Sequence, residues 1–502
     1  MSSIRYQSVL SSILIYAGFL IGAFNILVLF PNQRHFSTEE FGLTRLLLDI
    51  AILFSTACTL GSLNLSFKFY PFHRHYLPHE RNDLLAIGLL LTTLGCILFV
   101  AVMSLAEGFM LRKFGGRSPL FVEYSYLIYP FTVTMAFFHL MEAYAWSLQR
   151  TVLSNFLKEF LSRLLVTLLI LLYTNGIVSS FRGFANLYSL TYGFLALVLF
   201  IVFIRKGEIP FPTRISHVTR RLWPQMATFG ISFFLSAMLH ILARTNDTII
   251  LASQSKGGLA DTAVFVIATY LVTLIDVPQR GMLSAATAQI SKAWRDRDVA
   301  RIGRLYQKTA LNLLIAGTAI LCILLLNVES LATYLGPTYG AVPYLTLVLG
   351  LSRLIDLGTG LNSQILVLSK HWKTDLLLNL FYVAASILLN YLLTVRLGVM
   401  GPAWGGLIAI ILFNSIRFIL LRRLYRLQPF SLRNLYVLLL GGLAFLAALA
   451  IPTLGNMYAD VIIRSSLFLA LYIGGVVGFK LSEDIAMVLT DIRARLLRMR
   501  GQ

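Results

Sequence analysis

The stretch LHILARTNDTIILA, residues 239–252, decides the fold. It reads as the second half of a membrane-spanning helix, yet it carries Arg244 and Asp247 where the surroundings would be hydrocarbon. A bilayer core of about 30 Å takes roughly 20 mostly apolar helical residues. Segments of that kind recur along the whole chain. The expected spans are 8–30, 42–67, 84–106, 124–148, 152–173, 184–204, 226–252, 261–283, 309–328, 342–366, 375–393, 401–421, 435–451 and 465–481, about 14 transmembrane helices. With 57% hydrophobic and 13% charged residues and a mean hydropathy of +0.78, the chain lies outside the soluble globular range. The expected fold class is an all-α polytopic membrane protein. No connecting stretch reaches domain size, so no separate catalytic domain is expected. The first span is longer than a signal-peptide core and lacks a small-residue cleavage site after it, which reads as a retained helix. Cys58, Cys96 and Cys322 all fall inside apolar spans, where packing is their expected role.

The formal net charge of +20 invites a nucleic-acid reading, but the placement of the cations argues for topology instead. Lys68, Arg74 and Arg81, then Arg150, then the 205–221, 292–308, 370–373 and 422–433 groups occupy alternate loops. The loops between them are poor in Lys and Arg. By the positive-inside rule the basic loops and both termini are cytoplasmic, with Arg493, Arg495, Arg498 and Arg500 forming a basic tail. Arg112, Lys113 and Arg117 dissent, since they lie in a loop expected on the other side.

Ionisable groups also recur inside the spans, where each costs about 2.5–3.5 kcal/mol on insertion scales. Arg45 with Asp49, Glu159 with Arg163, and Asp276 with Arg280 stand at i,i+4; Arg244 with Asp247 and Arg353 with Asp356 stand at i,i+3. Each spacing places both groups on one helix face. His139, Glu142, Asn379, Asn390 and Asn414 add to them, whereas Lys158 and Arg417 lie near span ends and are expected to snorkel. Self-neutralising pairs that hold helix to helix are one reading. Five such pairs fit better with a hydrated interior, because Ser or Thr could join helices at far lower desolvation cost. The planar donor fork of arginine suits phosphate. A hydrated interior with several arginines would suit a phosphorylated lipid headgroup, which makes Arg244 a phosphate-clasping candidate, with Asp247 positioning it or titrating; Asp49, Glu142, Glu159, Asp276 and Asp356 are the other candidates for arginine positioning or ion coupling.

Pro130, Pro278 and the run GVMGPAWGG at 398–406 interrupt or begin spans, as hinges or as ordinary kinks. His73, His75 and His79 in HRHYLPHE come nearest to a metal set, but the expectation is a solvated cytoplasmic face and no metal. No Walker A motif, dinucleotide turn or Ser/His/Asp arrangement is present.

The run TEEFGLTRLLLDIAILFSTACTLGSLNLSFKFYP at 38–71 resembles the opening of polysaccharide transporters. RTVLSNFLKEFLSRLL at 150–165, ARTNDTIILA at 243–252, the run from Ile275 to Lys308 and LGVMGPAWGGLIA at 397–409 follow in the order of that family's fifth, seventh, eighth and twelfth helices. The resemblance is to the oligosaccharide (O-antigen type) flippases of the multidrug/oligosaccharidyl-lipid/polysaccharide exporter superfamily. It implies two six-helix bundles related by a pseudo-two-fold, at 1–207 and 208–428, and two further helices with the basic tail at 429–502. It also implies alternating access in a bacterial inner membrane around a cationic cavity whose phosphate-clasping residues would be Arg45, Arg163, Arg244, Arg280 and Arg353. The implied cargo is an undecaprenyl-pyrophosphate-linked glycan for surface polysaccharide, O-antigen or capsule, delivered toward polymerase or export machinery. No cofactor is expected, and energy would come from an H⁺ or Na⁺ gradient or from consumption of the product. Two alternatives remain at this point. An ion-coupled drug or cation antiporter shares the architecture but would have an anionic interior, and an integral-membrane glycan-processing enzyme would need a catalytic constellation in a substantial loop.

Overall fold

The computed structural model describes residues 2–32, 35–210, 214–452, 457–482 and 484; Arg493, Arg495, Arg498 and Arg500 of the tail lie outside the described residues. All regular elements among the described residues are helical. Chain contacts divide the molecule into two compact units, 1–263 and 264–502.

The first unit holds α1 (Ser2–Phe24), α2 (Thr38–Cys58), α3 (Ser62–Tyr76), α4 (Leu84–Phe114), the short α5 (Pro119–Glu123), α6 (Ile128–Ser147), α7 (Thr151–Asn155), α8 (Ser162–Thr174), α9 (Phe181–Ser189), α10 (Thr191–Arg205) and α11 (His217–Gln254). Helix α12 (Gly258–Val272) carries the chain across the boundary. The second unit continues with α13 (Val277–Arg295), α14 (Val299–Leu335), α15 (Val342–Gly358), α16 (Asn362–Val367), α17 (Trp372–Leu397), α18 (Gly401–Tyr425), α19 (Leu432–Leu449) and α20 (Met457–Gly478).

Eleven helical stretches among the described residues are long and apolar enough to cross a membrane, and one of them, Trp372–Tyr425, comprises both α17 and α18. The two expected spans outside that set are also helical. They are α6, which carries His139 and Glu142, and 151–174, which carries Lys158, Glu159 and Arg163. The chain is thus a multi-pass membrane protein.

Local sequence explains the starts and breaks. Ser37 and Glu40 close a capping box at α2, the Ser37 hydroxyl oxygen accepting from the Glu40 N–H (3.1 Å) while the Glu40 carboxylate accepts from the Ser37 N–H (2.7 Å). The acidic residues before Phe41 are therefore helix-starting chemistry. The span expected at 42–67 is two helices, because the chain turns at Leu60 and Gly61, both left-handed with φ of 46° and 80°. A Cβ on Gly61 would run into the Gly230 carbonyl of α11. Pro278 and Pro402 sit in the first turn of α13 and α18, where a missing N–H costs nothing, so they begin helices.

Two π-helical segments, Asn25–Leu29 after α1 and Phe156–Leu161 between α7 and α8, lie where the first and fifth spans meet. There the Asn25 side-chain amide donates to the Arg163 carbonyl oxygen (3.1 Å) and accepts from the Thr167 hydroxyl (2.8 Å). Gly18 makes this approach feasible, since a Cβ would overlap the Glu159 carbonyl.

The dissenting cations also have a local cause. Arg112 Nε donates to the Gly108 carbonyl oxygen (3.1 Å), and Arg117 donates to the Gln254 carbonyl at the end of α11. A helix C-terminus attracts such a cation through its free carbonyls and dipole.

In the second unit α19 and α20 pack against α14 through Val437, Ala444, Phe468 and Tyr472. The Tyr472 hydroxyl donates to the Ile315 carbonyl oxygen (3.1 Å). Beyond α20, Asp484 accepts from Lys308 (2.7 Å) and from Asn312 (2.7 Å), tying the end of the described chain to α14.

Replacing Gly18 with Val is expected to push the first and fifth spans apart. The measurement is the thermal midpoint of the detergent-solubilised protein by size-exclusion after heating; a variant as stable as the parent would contradict the close approach.

Candidate functional site

In the first unit, Asp49 of α2 and Thr248 of α11 meet. The Thr248 hydroxyl donates to Asp49 Oδ2 (2.7 Å), and Arg45 and Arg244 both lie within electrostatic reach of that carboxylate. Arg45 points its guanidinium at the rings of Phe30 (5.3 Å) and Phe41 (5.5 Å), and its buried Nε finds no acceptor among the described residues. It does not close an ion pair with Asp49 among the described residues, so the expected helix-face pair is replaced by a cation held over aromatic rings. Arg244 is exposed and Asp247 half-buried on α11.

A second polar group surrounds the fifth span. Arg163 donates to Glu159 at i,i+4 (3.0 Å), as its spacing predicts. Lys158, expected to snorkel, instead donates to the buried Glu142 of α6 (3.0 Å). Tyr188 lies near Arg45 and Asp49, and Tyr192 near Glu159, Glu142 and Arg163. Three of the participating residues, Asn25, Lys158 and Glu159, fall in the π segments. A π-bulge rotates side chains off the regular helical face, which is why such bulges concentrate at functional positions.

In the second unit the pairing differs from that expected along each helix. Asp276 pairs with Arg353 of the neighbouring α15 (3.8 Å), with Arg280 further off but within electrostatic reach. Asp356 accepts from the Asn414 side-chain amide (3.0 Å), and Asn414 in turn accepts from Asn362 (2.8 Å). Next along α18, Arg417 donates to Asp375 of α17 (2.6 Å) and to Ser363 (3.1 Å), with its guanidinium 3.9 Å from the Phe413 ring centroid. Arg417 is only 4% exposed. The expectation that it snorkels is therefore wrong, because α16 and α17 enclose the end of the span that the sequence presents as a terminus.

The candidate arginines thus fall into two classes. Arg45, Arg163 and the overlooked Arg417 are engaged with rings or carboxylates inside their units. Arg244 and Arg353, the latter paired with Asp276, are exposed within stretches apolar enough to cross a membrane, and Arg280 is exposed at the end of one.

The histidine cluster is neither metal-binding in arrangement nor wholly solvated. Among the described residues no group of three potential ligands is close enough to hold a metal. His73, expected on a solvated face, has 0% exposure. Its ring lies 2.9 Å from both the Phe69 carbonyl oxygen and the Thr219 hydroxyl, and 3.6 Å from Asp83. Asp83 accepts from the Ser216 N–H (2.7 Å), the Ser216 hydroxyl (2.9 Å) and the Thr219 hydroxyl (2.9 Å). This buried knot clamps the first turn of α11 to the end of α3. Sequence reasoning missed it because its members are up to 146 positions apart.

No protein-family model matches the chain, and no curated protein matches it. Solved structures share its fold. The lipid II flippase MurJ in an inward closed conformation superposes with a TM-score of 0.73 at 14% identity, covering 94% of this chain and 98% of that one. An inward-facing multidrug resistance MATE family transporter of the MOP superfamily gives 0.55 at 17% identity, with 79% and 97% covered. A mutant MATE gives 0.51 at 17% identity, with 83% and 95% covered. The chain has the fold of these transporters.

Replacing Arg417 with Met strands the buried Asp375 and is expected to lower stability by about 3–5 kcal/mol. Adding Asp375→Leu should recover most of the loss in denaturant unfolding of the solubilised protein. Additive losses would contradict a mutually dependent buried pair.

Proposed function

We propose that this chain moves an undecaprenyl-pyrophosphate-linked oligosaccharide across the bacterial inner membrane for surface polysaccharide assembly, by alternating access. The observation that carries the reading is the exposure of Arg244 and Arg353 within membrane-length apolar stretches and of Arg280 at the end of one. An arginine facing acyl chains is costly, so these three belong against water or an anionic ligand. Asp49 beside Arg244 and Asp276 beside Arg353 hold the cations in place without covering them. Exposed arginine forks fit a pyrophosphate, which offers paired acceptor oxygens. The fold shared with a lipid II flippase supports a lipid-linked cargo.

The half-buried Asp49, Asp276 and Asp356 are the groups suited to exchange a proton or sodium ion during the cycle, since each already sits among polar donors. Coupling to an ion gradient, or to downstream consumption of the glycan, supplies the direction. Cytoplasmic termini follow from the basic loops. An organic-cation antiporter would place carboxylates, rather than guanidiniums, at the exposed positions.

Arg244→Ala and Arg353→Ala are each expected to abolish surface-glycan display while the protein remains in the membrane, and Arg244→Lys to retain part of it, because lysine keeps the charge and loses the fork. Glycan display is read by surface labelling and protein level by immunoblot of membranes. Normal display in both alanine variants would defeat the phosphate-clasping role.

A further inference from the structure

Helix α11 carries a hydrophilic ridge that the charge clusters leave unexplained. Gln225, Thr228, Ser232, Ser236, His240 and Arg244 follow one another at spacings of three or four, and all six are exposed. From Gln225 to Arg244 the ridge runs about 29 Å at the helical rise, close to the thickness of a bilayer core. At its Gln225 end lies a shallow, open cavity of about 490 Å³ between α3 and α11, lined by Lys68, Pro224, Gln225, Thr228, Phe229 and Ser232.

The hydrogen bonding gives the ridge a definite polarity. The Thr228 hydroxyl donates to the Pro224 carbonyl oxygen (2.9 Å), Ser232 to that of Thr228 (2.9 Å) and Ser236 to that of Ser232 (3.1 Å). Each hydroxyl has used its one hydrogen inward and presents lone pairs outward. A row of acceptors repels phosphate oxygens and receives the O–H groups of a polyol. Lys68, with its ammonium 3.9 Å from the Phe229 ring centroid, and the Gln225 amide supply donors at the cavity. Phe229 and Phe233, with ring centroids 4.4 Å apart, add apolar surface for the C–H faces of a sugar. Self-satisfied hydroxyls alone would be at home against lipid. Gln225 and His240 on the same ridge make no such backbone bond among the described residues, and both would be stranded there.

We propose that this ridge and cavity are a carbohydrate track: the sugar portion of the cargo lies along Gln225 to Ser236, while its pyrophosphate is held at Arg244. The inference rests on the glycan-flippase reading and adds to it which part of the cargo lies where.

The test uses the full chain in detergent and two probes, undecaprenyl pyrophosphate bearing a labelled trisaccharide and undecaprenyl pyrophosphate without sugar. The variant Thr228→Val/Ser232→Ala/Ser236→Ala removes only exposed hydroxyls, and Gln225→Ala tests the cavity separately. Thermal unfolding of each variant confirms an unchanged fold. The expected result is a loss of about tenfold in affinity for the sugar-bearing probe in the triple variant, a smaller loss in Gln225→Ala, and unchanged affinity for the sugarless probe. Equal binding of the sugar-bearing probe by the triple variant and the parent overturns the track, as does an equal drop for both probes. A parent chain that binds sugarless and sugar-bearing probes alike overturns the track while leaving the pyrophosphate reading intact. A parent chain that binds neither overturns both.

Discussion

Everything in this structure answers to the cost of an ionised side chain at bilayer depth. Hydrocarbon offers no hydrogen bonds, so a guanidinium or carboxylate placed there must be enclosed by partners or turned toward water. The molecule uses both solutions and separates them by residue. Arg417 is enclosed, with Asp375, Ser363 and the Phe413 ring around it. Arg163 is paired within its own helix. Arg244 and Arg353 are exposed within membrane-length apolar stretches and Arg280 at the end of one.

The backbone is shaped to the same end. Neighbouring helices in a membrane gain little from apolar burial, so close packing and polar contacts set their association. Gly18 lets the first span lie on the Glu159 backbone, and the π segment there turns Lys158 toward Glu142 and leaves Glu159 to Arg163. At the basic end, the His73, Asp83, Ser216 and Thr219 knot fixes where α11 begins. At the other end, Arg117 and Ser118 bond to carbonyls of its last turn, Ser118 to Ala252 at 2.7 Å. Helix α11 is thus tied at both ends while its Gln225 to Arg244 ridge stays uncovered. That arrangement holds a polar surface open along a membrane-length helix.

Composition and apolar run length alone determined the class of this protein and where most of its membrane-length helices lie, because a bilayer imposes one length and one polarity on every crossing segment. The sequence also determined that charge lies inside those spans, and on which residues. Tertiary structure decided what each charge does. Asp276 turned to Arg353 rather than to its i,i+4 neighbour Arg280, Arg45 found aromatic rings, and Arg417 proved the most enclosed of the six arginines compared here. A helical spacing fixes which residues share a face, but the partner that faces them comes from another helix, often more than forty positions away. Desolvation and pairing depend on that partner, and so they are properties of the fold.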